Sequence, residues 1–187
     1  MKRTAAAGLT IDVLVDSEHW EHVSAAKAVV RRALKVAATS LSTKSAGLAI
    51  VLTDDAAMRR LNRNWRGIDA PTNVLSFATK DTGDRHRLDN HLGDIVLAYE
   101  TVKREARREG KPFDHHLAHL AVHGFLHLLG YDHGSAAQAR CMEATEREIL
   151  RDLAVPDPYG ATRSTARHSR RTAKRPGRGR ARGAQNG

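Results

Sequence analysis

The sequence predicts an α+β domain: a small mixed four-stranded sheet packed with helices around a buried histidine-bearing helix, followed by a disordered basic C-terminal tail. Three observations carry this expectation. Apolar, β-branched runs lie in the first half of the chain, while long segments of helical periodicity dominate the second. Only 4% of the residues are aromatic, so a core must be built from Leu, Val, Ile and Ala, which favours helices. Finally, Leu, Ile, Val, Phe and Met disappear after Ala161. A segment without them cannot bury enough surface to offset its ordering entropy, so 161–187 is expected to be disordered and 1–160 to form one domain.

The runs at 9–15 (LTIDVLV) and 46–53 (AGLAIVLT) read as strands. Between them Ala26, Val29, Val30, Ala33, Leu34 and Ala37 recur at helical spacing over 24–39. Asp54 and Asp55 favour a helix start through the positive end of its dipole; Met58, Leu61 and Trp65 continue that helix, and Gly67 stops it. Two further strands are expected at 73–79 (NVLSFAT) and 92–98 (LGDIVLA), joined by a polar loop that holds Asp81, Gly83, Asp84, Asp89 and Asn90. Helices then follow over 99–109, 112–129 and 136–153, separated by Gly110 and by the 130–134 turn, with Pro112 suited to a first helical turn.

The net charge of +10 suggests a nucleic-acid binder until its location is considered. Arg163, Arg167, Arg170, Arg171, Lys174, Arg175, Arg178, Arg180 and Arg182 lie in 161–187, which has no acidic residue. Taking these nine from the 31 basic residues leaves 22 against 21 acidic ones, so 1–160 carries only +1. The tail can neutralise RNA phosphates or simply be solvated. Cys141 is the single cysteine, which excludes an intramolecular disulfide and argues against a disulfide-linked partner. No run is long and apolar enough for a bilayer, and the N-terminus lacks an apolar stretch of signal-peptide quality. A cytoplasmic protein with no membrane partner is expected.

Chemistry concentrates in 117–129 (LAHLAVHGFLHLL), where His119, His123 and His127 are the only polar side chains. Four-residue spacing puts these rings on one helical face, one turn apart. A helix apolar all round is normally buried, and buried imidazoles need partners. A metal ion is such a partner if two ligands come from the helix, His123 and His127, and a third from the turn after it, His133. Gly130 permits a left-handed exit that brings His133 back. Three ligands leave the fourth tetrahedral position free, the arrangement of a catalytic zinc site. Core histidines satisfied by carbonyls and carboxylates are the alternative, and His119, His115 and His116 are read that way.

The spacing H-x-x-x-H-x-x-G-x-x-H is shared with zinc peptidases, but the glutamate that acts as their base is replaced by Gly124. Glycine costs about 1 kcal/mol against alanine inside a helix, so its presence points to close approach by another backbone or a ligand. Asp132 is read either as a hydrogen-bonding support for a ligand or as a turn former, Asp94 as structural, and Cys141 as a packed residue rather than a fourth ligand.

The run His-Gly-Phe-Leu-His-Leu-Leu-Gly-Tyr-Asp-His at 123–133 resembles the signature of the YbeY family of bacterial ribosomal-RNA maturation endoribonucleases. The block LNRNWRGIDAPTNVLSF at 61–77, Leu92-Gly93-Asp94-Ile95 and Met142-Glu143 agree with it, in order, across about residues 10–158. Trp65 stands where that family commonly has Tyr, and Ile68 where it commonly has Lys; the second departure removes a charge. The resemblance implies a small α+β domain, one zinc ion per chain on His123, His127 and His133, and cleavage of single-stranded RNA. It further implies a role in small-subunit rRNA 3′-end processing and ribosome quality control, with the ribosomal small subunit or assembly factors as partners. It carries a functional role to Arg66, whose planar fork suits phosphate oxygens, whereas taken by itself this residue reads first as an exposed structural arginine. The expected mechanism is water activation by the metal with Arg66 stabilising the phosphoryl group. A metallopeptidase-like hydrolase and a non-catalytic, zinc-stabilised ribosome-assembly module are the competing readings.

Overall fold

The computed structural model describes residues 8–79 and 91–160. The polar loop expected within 80–90 and the basic tail at 161–187 lie outside the described residues. Strand β1 (Leu9–Val15) leads through a 3-10 turn (Glu18–Trp20) into helix α1 (Ala26–Ser40). Then come β2 (Ala46–Thr53), α2 (Asp55–Arg66), β3 (Val74–Ala78), β4 (His91–Ala98), α3 (Tyr99–Arg108), α4 (Phe113–Leu128) and α5 (Ala136–Asp152). The expected α+β class and the mixed four-stranded sheet are both present. The 3-10 turn, three residues long, is too short to show a period in the sequence.

Strand order is β1-β2-β4-β3, with β1 and β4 parallel to β2 and β3 antiparallel to β4. Parallel neighbours need a crossover, which α1 provides between β1 and β2. Because side chains alternate across a strand, β4 presents Ile95 and Leu97 to one face and Val96 and Ala98 to the other. The first face receives the main core, including Val30, Leu34 and Ala37 of α1 and Leu117, Ala121 and Phe125 of α4. The second receives Met58 of α2, packed with Leu75, Val96 and Ala98. The histidine helix and α2 therefore cover opposite faces.

Helix ends follow local chemistry. The Asp54 carboxylate accepts the Ala57 N–H at 2.8 Å, capping α2. Asp55 accepts from the Thr101 hydroxyl at 2.7 Å and ties α2 to α3. Left-handed Gly67, at φ 72°, ends α2. Pro112 is the N-cap of α4, one residue outside the helix it was expected to begin. Asn73 precedes β3 because its side chain, not a ladder partner, accepts the Val74 N–H at 2.7 Å.

Candidate metal centre

Helix α4 carries His123 and His127 on the stripe that its spacing predicts. Gly130 adopts φ 88°, and the chain turns there so that His133 faces them. His123 Nε2 lies 3.2 Å from His127 Nε2 and 3.4 Å from His133 Nε2. Zinc bound to imidazole at about 2.0–2.1 Å in a tetrahedron requires ligand nitrogens about 3.3–3.4 Å apart. Both spacings thus fit a tetrahedral ion, and ligand atoms of all three histidines lie within 4.8 Å of one another, with His133 exposed. Burial, reinforced by the neighbouring His123 and His133, lowers the pKa of His127 below its ordinary value. That favours the neutral ring that coordination needs.

A group missed in the sequence lies directly behind this cluster. Glu146 of α5 has no exposed surface, and its Oε1 is 2.7 Å from His123 Nδ1. A carboxylate there accepts the Nδ1 proton and leaves the Nε2 lone pair facing the other two rings. Its Oε2 is 3.7 Å from His119 Nε2, so one carboxylate serves two histidines of α4. The signal was available: Met142, Glu146, Ile149, Leu150 and Leu153 form the buried stripe of α5 and its C-cap, and a glutamate in that stripe is out of place without a partner. Glu143, the acid of the Met142-Glu143 match, instead makes an i,i+4 ion pair with Arg147 at 2.9 Å.

The remaining polar neighbours have structural partners. Asp132 accepts the backbone N–H of His133 at 2.7 Å, so it shapes the turn. His116 pairs with Glu105 at 3.0 Å, and Glu105 also accepts from Asn73 at 2.9 Å. Burial outweighs that carboxylate and lowers the His116 pKa. Asp94 lies 3.0 Å from His91, within the sheet. Cys141 is exposed on α5 and belongs to neither histidine group that could hold a metal.

Gly124 has a steric explanation. A Cβ there would lie 2.9 Å from Ile95 Cγ2 and 3.0 Å from Ser76 Oγ. The close approach comes from side chains of β4 and β3 rather than from another backbone, and it leaves no room for a peptidase-type glutamate.

Arg66 is not part of the cluster. It is the last residue of α2, exposed, and among the described residues its side chain forms no hydrogen bond or ion pair. The structure unites the three histidines and leaves the arginine on an element that packs on the opposite face of the sheet.

The family model described as Endoribonuclease YbeY matches residues 14–154, and so spans both regions. The chain belongs to this family. An Endoribonuclease YbeY of Rhodopseudomonas palustris (strain BisB18) is 57% identical over 152 residues, covering 79% of this chain and 90% of that protein. One from Bradyrhizobium sp. (strain BTAi1 / ATCC BAA-1182) is 55% identical over 155 residues, covering 80% of this chain and 92% of that protein. The solution structure of TM1509 from Thermotoga maritima is matched over 89% of this chain and 100% of its own at 22% identity, with a TM-score of 0.47. The span matched by the YbeY model contains His123, His127 and His133 as well as Arg66. Among the described residues, no helix is long and apolar enough to cross a membrane.

Proposed function

We propose that this chain is a metal-dependent endoribonuclease that cuts single-stranded RNA, with one zinc ion held by His123, His127 and His133. The observation that carries the reading is the convergence of three imidazole Nε2 atoms, at 3.2 and 3.4 Å, in a chain of the Endoribonuclease YbeY family. A bound zinc ion supplies a nucleophile at neutral pH and neutralises charge on phosphoryl oxygens. Glu146 holds the His123 ring and its tautomer, and Tyr131 hydrogen-bonds His127 through its backbone. The Arg66 guanidinium offers two parallel donors to phosphoryl oxygens and stays charged throughout. Since α2 and α4 cover opposite faces of the sheet, an RNA strand that reaches both must pass the edge strand β3.

The substrate follows from the family: ribosomal RNA, with small-subunit 3′-end maturation and ribosome quality control as the cellular roles. The small subunit or its assembly factors are the corresponding partners, and the cytoplasm is the compartment. Residues 1–160 form the catalytic unit in this reading, and the basic segment 161–187 adds phosphate affinity. A peptidase is disfavoured by the crowding at Gly124. Incubating the full chain with a 3′-extended small-subunit rRNA precursor, its duplex form and casein tests the reading. Cleavage of the unpaired extension alone is expected; casein hydrolysis without RNA cleavage would overturn it.

A further inference from the structure

Of the large hydrophobic side chains exposed among the described residues, Trp65 (71%) and Ile68 (52%) lie three positions apart and flank Arg66. Elsewhere only Leu14 of the edge strand β1 is comparably bare. A scattered exposed apolar residue is ordinary, but an indole beside a guanidinium that has no partner among the described residues, at the end of an arginine-rich helix, is not scattered. Helix α2 carries Arg59, Arg60, Arg63 and Arg66. Asp69 accepts two hydrogen bonds from Arg59, at 2.8 and 2.7 Å, and lies 4.0 Å from Arg63. Among the described residues Arg60 and Arg66 have no such carboxylate partner, so the helix keeps uncompensated positive charge that includes its C-terminal end.

The surface is also held in place. Phe77 of β3 supports the indole, with ring centroids 5.3 Å apart. The segment after Gly67 is latched by the Arg59–Asp69 pair and by Asn62, whose side chain donates to the Ala70 carbonyl at 2.7 Å. Phe77 is the chain neighbour of Ser76, which presses on Gly124 from the other side of β3, next to His123. The indole and the histidine cluster are thus separated by one edge strand.

Resting on the endoribonuclease reading, we propose that Trp65 is a stacking platform for an unpaired base of the RNA strand, with Arg66 holding the adjacent phosphate. The exposed ring face suits any base, the guanidinium suits the backbone, and a paired base in a duplex has no free face to offer. Such a platform selects single strands by shape, without reading sequence.

Tryptophan fluorescence tests this directly. The only other tryptophan, Trp20, is 2% exposed and donates its indole N–H to the Thr53 carbonyl at 2.8 Å. Quenching by solutes therefore reports on Trp65, with Trp65→Phe as the blank. A short oligouridylate should quench the full chain, while an RNA duplex of equal length and inorganic polyphosphate should not. Trp65→Ala should raise KM for single-stranded RNA by about tenfold at nearly constant kcat and metal content, and Trp65→Phe should restore most of the loss. Absence of quenching by oligouridylate, or an unchanged KM in Trp65→Ala, would overturn the proposal. So would unchanged RNA affinity in Trp65→Ala together with lost binding to another protein, which would make the surface a protein-docking site. Quenching without any RNA cleavage by the wild type would instead contradict the endoribonuclease reading and leave the platform standing.

Discussion

The C-terminal half of α4 and the C-terminal end of α2 use polar residues in opposite ways. In α4 the histidines are set among Leu, Val and Phe side chains and supported by a fully buried carboxylate. At the end of α2, Arg66 and Trp65 project into solvent, with the indole resting on Phe77 on one side and the following backbone latched by Asn62. The difference teaches a division of labour. A small ion needs ligands held to fractions of an ångström, whereas a long flexible strand is captured by exposed surfaces that order on contact.

The comparison breaks if buried supports turn out to be dispensable. Glu146→Ala should weaken metal affinity by about 10- to 100-fold, and Glu146→Gln by less, since its amide oxygen still accepts the His123 proton. Titration of the metal-free chain with zinc against a competing chelator checks this, and wild-type affinity in both variants would remove the division. Arg66→Ala should leave zinc affinity unchanged while lowering kcat/KM for RNA by about tenfold or more, with Arg66→Lys only partly better because a point charge cannot form the paired contact. Parallel metal and kinetic assays separate the two regions.

Packing around the histidines offers a sharper test. Gly124→Ala gains about 1 kcal/mol of helix propensity but forces Ile95 and Ser76 apart, an overpacking cost of about 1–3 kcal/mol. Net destabilisation is expected in denaturant titrations, and Gly124→Glu should destabilise further without yielding a peptidase.

Much of this was legible beforehand because it obeys local rules. His123 and His127 share a helical face and His133 follows a glycine turn, so period and turn chemistry placed all three. The capped α2 was equally readable from Asp54, Met58, Leu61 and Gly67. Glu146 was hidden by distance in sequence, since its partner His123 lies 23 residues away and the two meet only when α5 packs on α4. The reason for Gly124 was hidden likewise, because Ser76 and Ile95 reach it through tertiary packing. Arg66 shows the reverse: its motif was visible, but nothing local told which face of the sheet it would occupy.

The smallest expected effect concerns pH. Burial holds the His116 imidazole below its ordinary value of 6.5, so the unfolded chain takes up that proton first as the pH falls. Its contribution to stability is full above about 6.5 and is lost as the pH drops towards the folded value. Unfolding of the metal-free chain should therefore show a stability that declines below this point, with a shallower decline in His116→Asn.

The most direct test of the central claim is metal content and single-stranded RNA cleavage measured on the same preparations of wild type and His123→Ala. The account predicts about one zinc per wild-type chain with cleavage, and loss of both in a variant that remains folded by circular dichroism. Cleavage that persists in folded, metal-free His123→Ala would contradict it.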